Sequence, residues 1–173
     1  MRHKRLALAL LISVWCVSLS AAPALASDGE HAVSVSLGYG TYLVPDYSPD
    51  GAILGLSYRR GFSDAFCFRV SGGGGVYYGA DQLTYSGHMT VGLTYLLDVL
   101  KYVPYVEAGA GAIVIAGGDA GTDVSPLLQV GVGLDILRSR TFSYGIQVEF
   151  ESLLQETSFF HAGLRATWRW GYF

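Results

Sequence analysis

Two histidines, His88 and His161, are the residues of this sequence best suited to acid–base or metal chemistry. A pair of imidazoles can act as a general base or ligate a transition metal. Neither histidine belongs to a Cys/His/carboxylate cluster with the spacing of a zinc site, so the sequence predicts no metal. A Ser–His–acid site could be assembled from Ser158, His161 and Glu156, but any loop rich in serine and glutamate offers such a trio.

Two further stretches have the composition of ligand-binding loops. The glycine run "SGGGGVYYG" (71–79) lacks the lysine and the following helix that a phosphate-binding loop needs. Asp119 and Asp123, in "GGDAGTD", could hold a weak calcium ion, and solvated acids are the simpler interpretation. The sequence therefore predicts no catalytic residue and no cofactor.

Several of the remaining charged residues alternate with apolar ones. In "TFSYGIQVEFE" (141–151), every second residue from Phe142 to Phe150 is apolar or aromatic, and the residues between them are small or polar. Such alternation predicts a strand with two unlike faces. In a soluble sandwich the acids of this strand would face water, whereas in a membrane barrel they would point inward.

Eight segments of this kind cover the chain, at 32–44, 52–62, 65–79, 84–97, 102–116, 126–138, 141–152 and 159–172. Tight charged turns are predicted at 63–64, 98–101 and 139–140, and longer loops at 45–51, 80–83, 117–125 and 153–157. Short turns at one end and longer loops at the other are typical of bacterial outer-membrane barrels. The segments are also long enough, because about 9–11 tilted residues cross a bilayer.

Aromatic residues lie near the ends of the predicted strands, and the strand middles are aliphatic and rich in glycine. If both termini lie at the periplasmic end, this distribution predicts two aromatic belts at two membrane interfaces. The lower belt would contain Tyr58, Phe68, Tyr95, Tyr144, Trp168 and Trp170, and the upper belt Tyr39, Tyr78, Tyr85, Phe150 and Phe160. By the same reasoning Tyr42, Tyr77, Tyr105 and Phe159 also belong to the belts.

The N-terminal residues predict export. A basic head at residues 2–5, an apolar run and an A-x-A cleavage site at 24–26 form a secretory signal peptide, 1–26, which leaves one domain at 27–173. A transmembrane anchor is the alternative, but the apolar run is short and broken by serines. Eight Lys and Arg remain in the domain against fourteen acids, and this net charge of about −6 argues against a nucleic-acid partner. Only Cys67 remains, which excludes an internal disulfide.

The sequence resembles the small eight-stranded outer-membrane barrels that include the transmembrane domain of OmpA. The stretch "YVPYVEAGAGA" (102–112) is similar to a strand of those barrel domains, and "TWRWGYF" (167–173) to their aromatic C-terminal strand, although Phe173 is one residue out of phase. The resemblance implies an all-β, eight-stranded, antiparallel, up-and-down transmembrane β-barrel. It also implies contact with outer-membrane lipid and lipopolysaccharide, and recognition of the C-terminal strand by the barrel-insertion machinery.

Some barrels of this kind are lipid A deacylases, in which a serine follows a histidine by two residues near the outer rim. Here Gly163 follows His161 by two residues, and Thr90 follows His88. Neither pair reproduces the deacylase pattern. The resemblance therefore assigns no catalytic residue.

Odd- and even-numbered residues of a strand face opposite sides of the sheet, and we call this rule parity. If the apolar face is outward, parity places the charged residues of the strands inside the barrel. The expected network contains Arg59, Arg69, Glu107, Asp135, Glu149 and Arg165; Arg169 and Glu151 share its face but lie near strand ends, where a water-facing position is the alternative. An arginine facing lipid at mid-bilayer costs about 2–4 kcal/mol, and a buried unpaired charge is also costly. We therefore expect Arg–carboxylate pairs to plug a polar lumen, with inward glycines making room.

The expected function is a structural role in the bacterial envelope. A lipid A-modifying barrel enzyme is one alternative, and a narrow channel or carrier of a small ligand is another.

Overall fold

The structure is a computed structural model that describes residues 29–43, 48–79, 82–97, 101–117, 122–153 and 157–171. These residues form β1 (His31–Leu43), β2 (Asp50–Gly61), β3 (Phe66–Gly79), β4 (Gln82–Leu96), β5 (Tyr102–Gly117), β6 (Thr122–Leu137), β7 (Phe142–Leu153) and β8 (Thr157–Trp170). Each strand pairs antiparallel with the next, and β1 pairs with β8 to close a barrel. The prediction of an all-β, eight-stranded up-and-down barrel is confirmed.

Some predicted features lie outside the described residues. They are the signal peptide (1–26), Asp119, Glu156, and Tyr172 with Phe173. Within the described ranges, no helix is long and apolar enough to cross a membrane.

The barrel has a terminal end, where β1 begins and β8 ends, and an opposite distal end. At the terminal end the turn 62–65 is closed by a hydrogen bond from the Phe62 amide to the Phe66 carbonyl (3.1 Å). The predicted contrast in loop length is wrong, because the distal connections (44–49, 80–81, 118–121 and 154–156) are about as short as the terminal ones (62–65, 97–101 and 138–141). The strands extend into the predicted loops: β6 begins at Thr122, since its backbone still pairs there with Ala116 of β5.

Alternation along each strand separates an apolar exterior from a filled interior. On β7, Tyr144, Ile146 and Phe150 are exposed, whereas Glu149 and Glu151 are buried. The acids of this strand therefore point into the lumen, as the barrel alternative requires.

The lumen also contains two apolar clusters. The distal apolar cluster consists of Ile53, Tyr77, Ile113, Leu127, Leu153 and Phe159, with Tyr42 and Ile115 packed against it. The terminal apolar cluster consists of Cys67, Leu96, Val103 and Tyr105, with Leu137 packed against it. Contrary to the expectation from the sequence, the lumen is therefore not polar throughout, because apolar side chains occupy part of it.

Four aromatic residues expected in the belts instead face the lumen. Tyr77, Tyr105 and Phe159 are at most 1% exposed, and Tyr42 packs on the distal apolar cluster. Their placement follows from parity: Tyr77 shares the inward face of β3 with Arg69. Because a strand's two faces alternate strictly, parity decides the direction of a side chain even where its height along the strand suggests a belt.

Candidate functional site in the barrel lumen

Four arginines and four carboxylates face the lumen alongside the two apolar clusters, and we name them the ionic layer. They are Arg59, Arg69, Arg165, Arg169, Glu107, Asp135, Glu149 and Glu151, and none is more than 7% exposed. Arg169 and Glu151, for which a water-facing rim position was the alternative, are therefore inside. The prediction of Arg–carboxylate pairs inside the barrel is confirmed.

On the terminal side of the ionic layer, Asp135 of β6 lies among arginines from β2 and β8. Its Oδ2 is 3.1 Å from Arg169 Nη2 and 3.6 Å from Arg59 Nη2. Its Oδ1 is 4.0 Å from Arg165 Nε. Arg169 Nε also lies 3.4 Å from Glu30 Oε1, just before β1. Asp135 is thus the common partner of three guanidinium groups.

In the middle of the layer, Arg69 of β3 reaches across the lumen to three strands. Its Nη2 lies 3.2 Å from Glu107 Oε1 and 3.1 Å from Glu149 Oε1. Its Nη1 donates a hydrogen bond to Gln129 Oε1 at 3.0 Å. Arg165 Nη1, 3.9 Å from Glu107 Oε2, links this group to the terminal side. The arginine–carboxylate pairs therefore form one connected network.

Inward-facing glycines provide the space for these side chains. A Cβ atom at Gly131 would lie 3.0 Å from Glu107 Cγ and 3.2 Å from Glu149 Cγ. At Gly133 it would overlap the ring of Tyr105. In a barrel just wide enough to be filled by side chains, glycine opposite a long residue avoids such overlap.

At the distal side of the layer, Glu151, His88 and His161 form a group that we name the distal corner. Glu151 Oε1 lies 3.5 Å from His88 Nδ1 and accepts a hydrogen bond from Gln129 Nε2 at 3.4 Å. The Tyr77 hydroxyl is 3.4 Å from His161 Nε2, and the rings of His88 and His161 stack with centroids 6.3 Å apart. Among the described residues, Glu151 has no arginine within ion-pair distance, unlike the other carboxylates of the layer.

A cavity of about 30 Å³ adjoins the distal corner. Its walls include Ser71, His88, Gln147, Glu149 and His161, which offer polar groups to a guest. This volume suits about one water molecule. Gln147, two residues before Glu149 on β7, therefore also faces the lumen.

The belt residues lie on the outside of the barrel. Tyr58, Phe68, Tyr144, Trp168 and Trp170 are exposed near the terminal end, and Tyr39, Tyr78, Tyr85, Phe150 and Phe160 near the distal end. Tyr95 is half-buried against the ring of Phe66, 5.0 Å away between centroids. Contact of these rings with membrane interfaces stays a prediction.

Two members of the Ser–His–acid trio, Ser158 and His161, are not brought together by β8, and the third, Glu156, lies outside the described residues. On β8, His161 is buried with the inward set, whereas Ser158 has the parity of the exposed Phe160. The two side chains therefore belong to opposite faces of the strand.

The structure brings together one group that the sequence did not reveal. One donor atom each from Glu149, Glu151 and His161 lies within 4.8 Å of the others, and all three residues are buried. Linear spacing could not indicate this cluster because the pairing of β7 with β8 places Glu149 opposite His161. The cluster could have been predicted from the inward positions of β7 and β8 together with the register of their pairing.

Comparison with known proteins gives no match to a family model and none to a curated protein. Among solved structures, Neisserial surface protein A has 14% identity over 81% of this chain and 98% of that chain, with a TM-score of 0.70. Ail, the attachment invasion locus protein of Yersinia pestis, has 18% identity over 83% and 100%, with a TM-score of 0.63. The outer membrane enzyme PagL has 18% identity over 79% and 97%, with a TM-score of 0.52. At such identities these likenesses show the fold: this chain has the closed β-barrel fold of these bacterial proteins.

Proposed function

We propose that the protein is an integral barrel of the bacterial outer membrane with a structural role in the envelope. The observation that carries the proposal is the inversion of polarity between the two faces of the barrel. Leu37, Leu54 and Leu164 on the exterior are 64%, 58% and 69% exposed, while the ionic layer is buried. Exposed apolar surface of this extent indicates a non-aqueous surrounding.

The aromatic residues of the exterior support the same surrounding. Trp168 and Trp170 lie near the terminal end, and Tyr39, Tyr78 and Tyr85 near the distal end, all exposed. Amphipathic rings at two heights suit the two interfaces of a bilayer. The strands have 12–16 residues, enough for the about 9–11 tilted residues that cross it.

Delivery to this membrane would use the N-terminal signal peptide (1–26) and the aromatic C-terminal strand. In this proposal the export machinery removes the signal peptide, and the barrel-insertion machinery recognises the C-terminal strand. The exterior then contacts outer-membrane lipid, with lipopolysaccharide at the distal end. The terminal end faces the periplasm.

A structural role is favoured over transport because the lumen is filled. The two apolar clusters and the ionic layer together occupy the lumen, and the cavity beside the distal corner is about 30 Å³. The separation of Ser158 from His161 by the strand disfavours a deacylase-like site, although the enzyme PagL has a similar fold.

Detergent dependence and membrane fractionation test the proposal. We expect the protein in the outer-membrane fraction of cells, and we expect the purified protein to need detergent and to change its gel mobility on boiling. A protein that stays monodisperse in detergent-free buffer would overturn the membrane assignment. Planar-bilayer conductance close to zero is expected from the filled lumen, and a steady open current would contradict the structural role.

A further inference from the structure

We propose that the distal corner of the lumen binds one divalent transition-metal ion, with zinc as the best-suited occupant, through Glu149, Glu151 and His161. One donor atom from each lies within 4.8 Å of the other two. The group is inside the barrel, so this inference goes beyond the envelope role and does not rest on it.

The backbone fixes the three residues as a group. Glu149 and Glu151 are two positions apart on β7, so both face the lumen. His161 is the β8 residue paired with Glu149. Three potential ligands therefore come from one hairpin, whose hydrogen bonds hold their Cα atoms at fixed separations.

Unpartnered atoms point to a missing ligand at this place. Glu151 Oε2 and His161 Nδ1 are buried and form no hydrogen bond with the described residues, although Glu151 is 0% and His161 6% exposed. Buried polar atoms without partners are costly. The other ring nitrogen of His161 faces the Tyr77 hydroxyl at 3.4 Å. A metal-binding histidine typically has such an outer hydrogen bond, which fixes its ring orientation.

The charges of the distal corner also favour a cation. Glu149 shares its positive partner, Arg69, with a second carboxylate, and Glu151 has no arginine partner among the described residues. A bound cation would supply the positive charge that Glu151 lacks. Protonated His88, 3.5 Å from Glu151, is the competing source of that charge.

The donor set selects the kind of ion. Two carboxylates and one imidazole suit zinc and similar transition metals better than calcium or magnesium, which prefer oxygen donors alone. Zinc binds such donors at about 2.0–2.2 Å, so the side chains would need to converge by about 1 Å. His88 lies outside this group of three, with its Nδ1 3.5 Å from Glu151 Oε1 and its ring stacked on that of His161.

Zinc retention by the folded barrel tests the site. The full chain without an affinity tag is folded in detergent with zinc chloride, passed over a chelating resin, and analysed by mass spectrometry for zinc per chain. We expect about one zinc per wild-type chain, and at least about tenfold less in Glu151→Gln and His161→Asn. The matched control is His31→Gln, since His31 lies outside the lumen against Tyr58, and it should retain the wild-type amount.

A second measurement covers the case in which those two variants do not fold, as judged by heat-modifiable gel mobility. Cobalt bound to the wild type should show imidazole ligation in X-ray absorption, and Tyr77→Phe should weaken zinc binding by about tenfold without preventing folding. Absence of retained zinc in the wild type, equal retention by the folded variants, or bound cobalt without a nitrogen ligand would each overturn the proposal.

Discussion

Asp135 and Glu151 are both completely buried carboxylates in the same lumen, but their partners differ. Asp135 has three guanidinium groups within 4.0 Å, whereas Glu151 has one imidazole at 3.5 Å and an amide. Arginine stays charged in proteins, and histidine can lose its charge. The negative charge of Asp135, on the terminal side of the ionic layer, is therefore always compensated. The negative charge of Glu151, at the distal corner, is compensated only when His88 is protonated. Burial alone does not distinguish a structural carboxylate from a candidate ligand.

The largest expected effect follows from removing the charge of Asp135. Asp135→Asn keeps the size of the side chain but leaves three buried arginines without their common carboxylate. The free energy of unfolding should fall by about 3–5 kcal/mol, measured by urea titration of tryptophan fluorescence in detergent. Asp64→Asn, in the exposed turn 62–65, is the matched control and should change it by less than about 0.5 kcal/mol.

How far the sequence predicts this arrangement depends on whether a feature is local. Alternation is local, so the eight strands and the inward direction of Asp135 and Arg69 follow from parity. The belts depend on height along the strand, and Tyr77 and Phe159 show that parity overrides height. The cluster of Glu149 with His161 depends on the register between β7 and β8, which no single segment contains. Contacts across the lumen, such as Arg69 with Glu107, depend on closure of the whole barrel.

Replacing Arg165 tests whether the terminal side of the ionic layer also closes the lumen. Its guanidinium carbon lies 4.4 Å from the centre of the Tyr105 ring, and its nitrogens approach Glu107 and Asp135 at 3.9 and 4.0 Å. Arg165→Ala should lower the free energy of unfolding by about 3 kcal/mol and raise planar-bilayer conductance above the wild type. The control is Arg60→Ala, at the exposed position on β2 next to Arg59, and it should leave the unfolding free energy and the conductance unchanged. Unchanged stability and conductance in the Arg165 variant would argue against the network as a plug.

A substitution of glycine in the middle of the ionic layer tests the effect of packing on stability without the effect of charge. Gly131→Ala places a methyl group against Glu107 and Glu149 without altering any charge. We expect a loss of about 1–3 kcal/mol in unfolding free energy because the ion pairs must shift. Gly87→Ala is the control, since its Cβ would meet nothing closer than 3.9 Å. Equal effects of the two substitutions would mean that the carboxylates can move aside freely.

The smallest effect is expected at the distal corner. Glu151→Gln removes a charge that no arginine compensates among the described residues, and it keeps an oxygen for the hydrogen bond from Gln129. In chelator-treated buffer the free energy of unfolding should change by only about 1 kcal/mol, measured by the same urea titration. A loss as large as that of Asp135→Asn would mean that His88 compensates Glu151 as firmly as arginine compensates Asp135, and the contrast between the two sides would disappear.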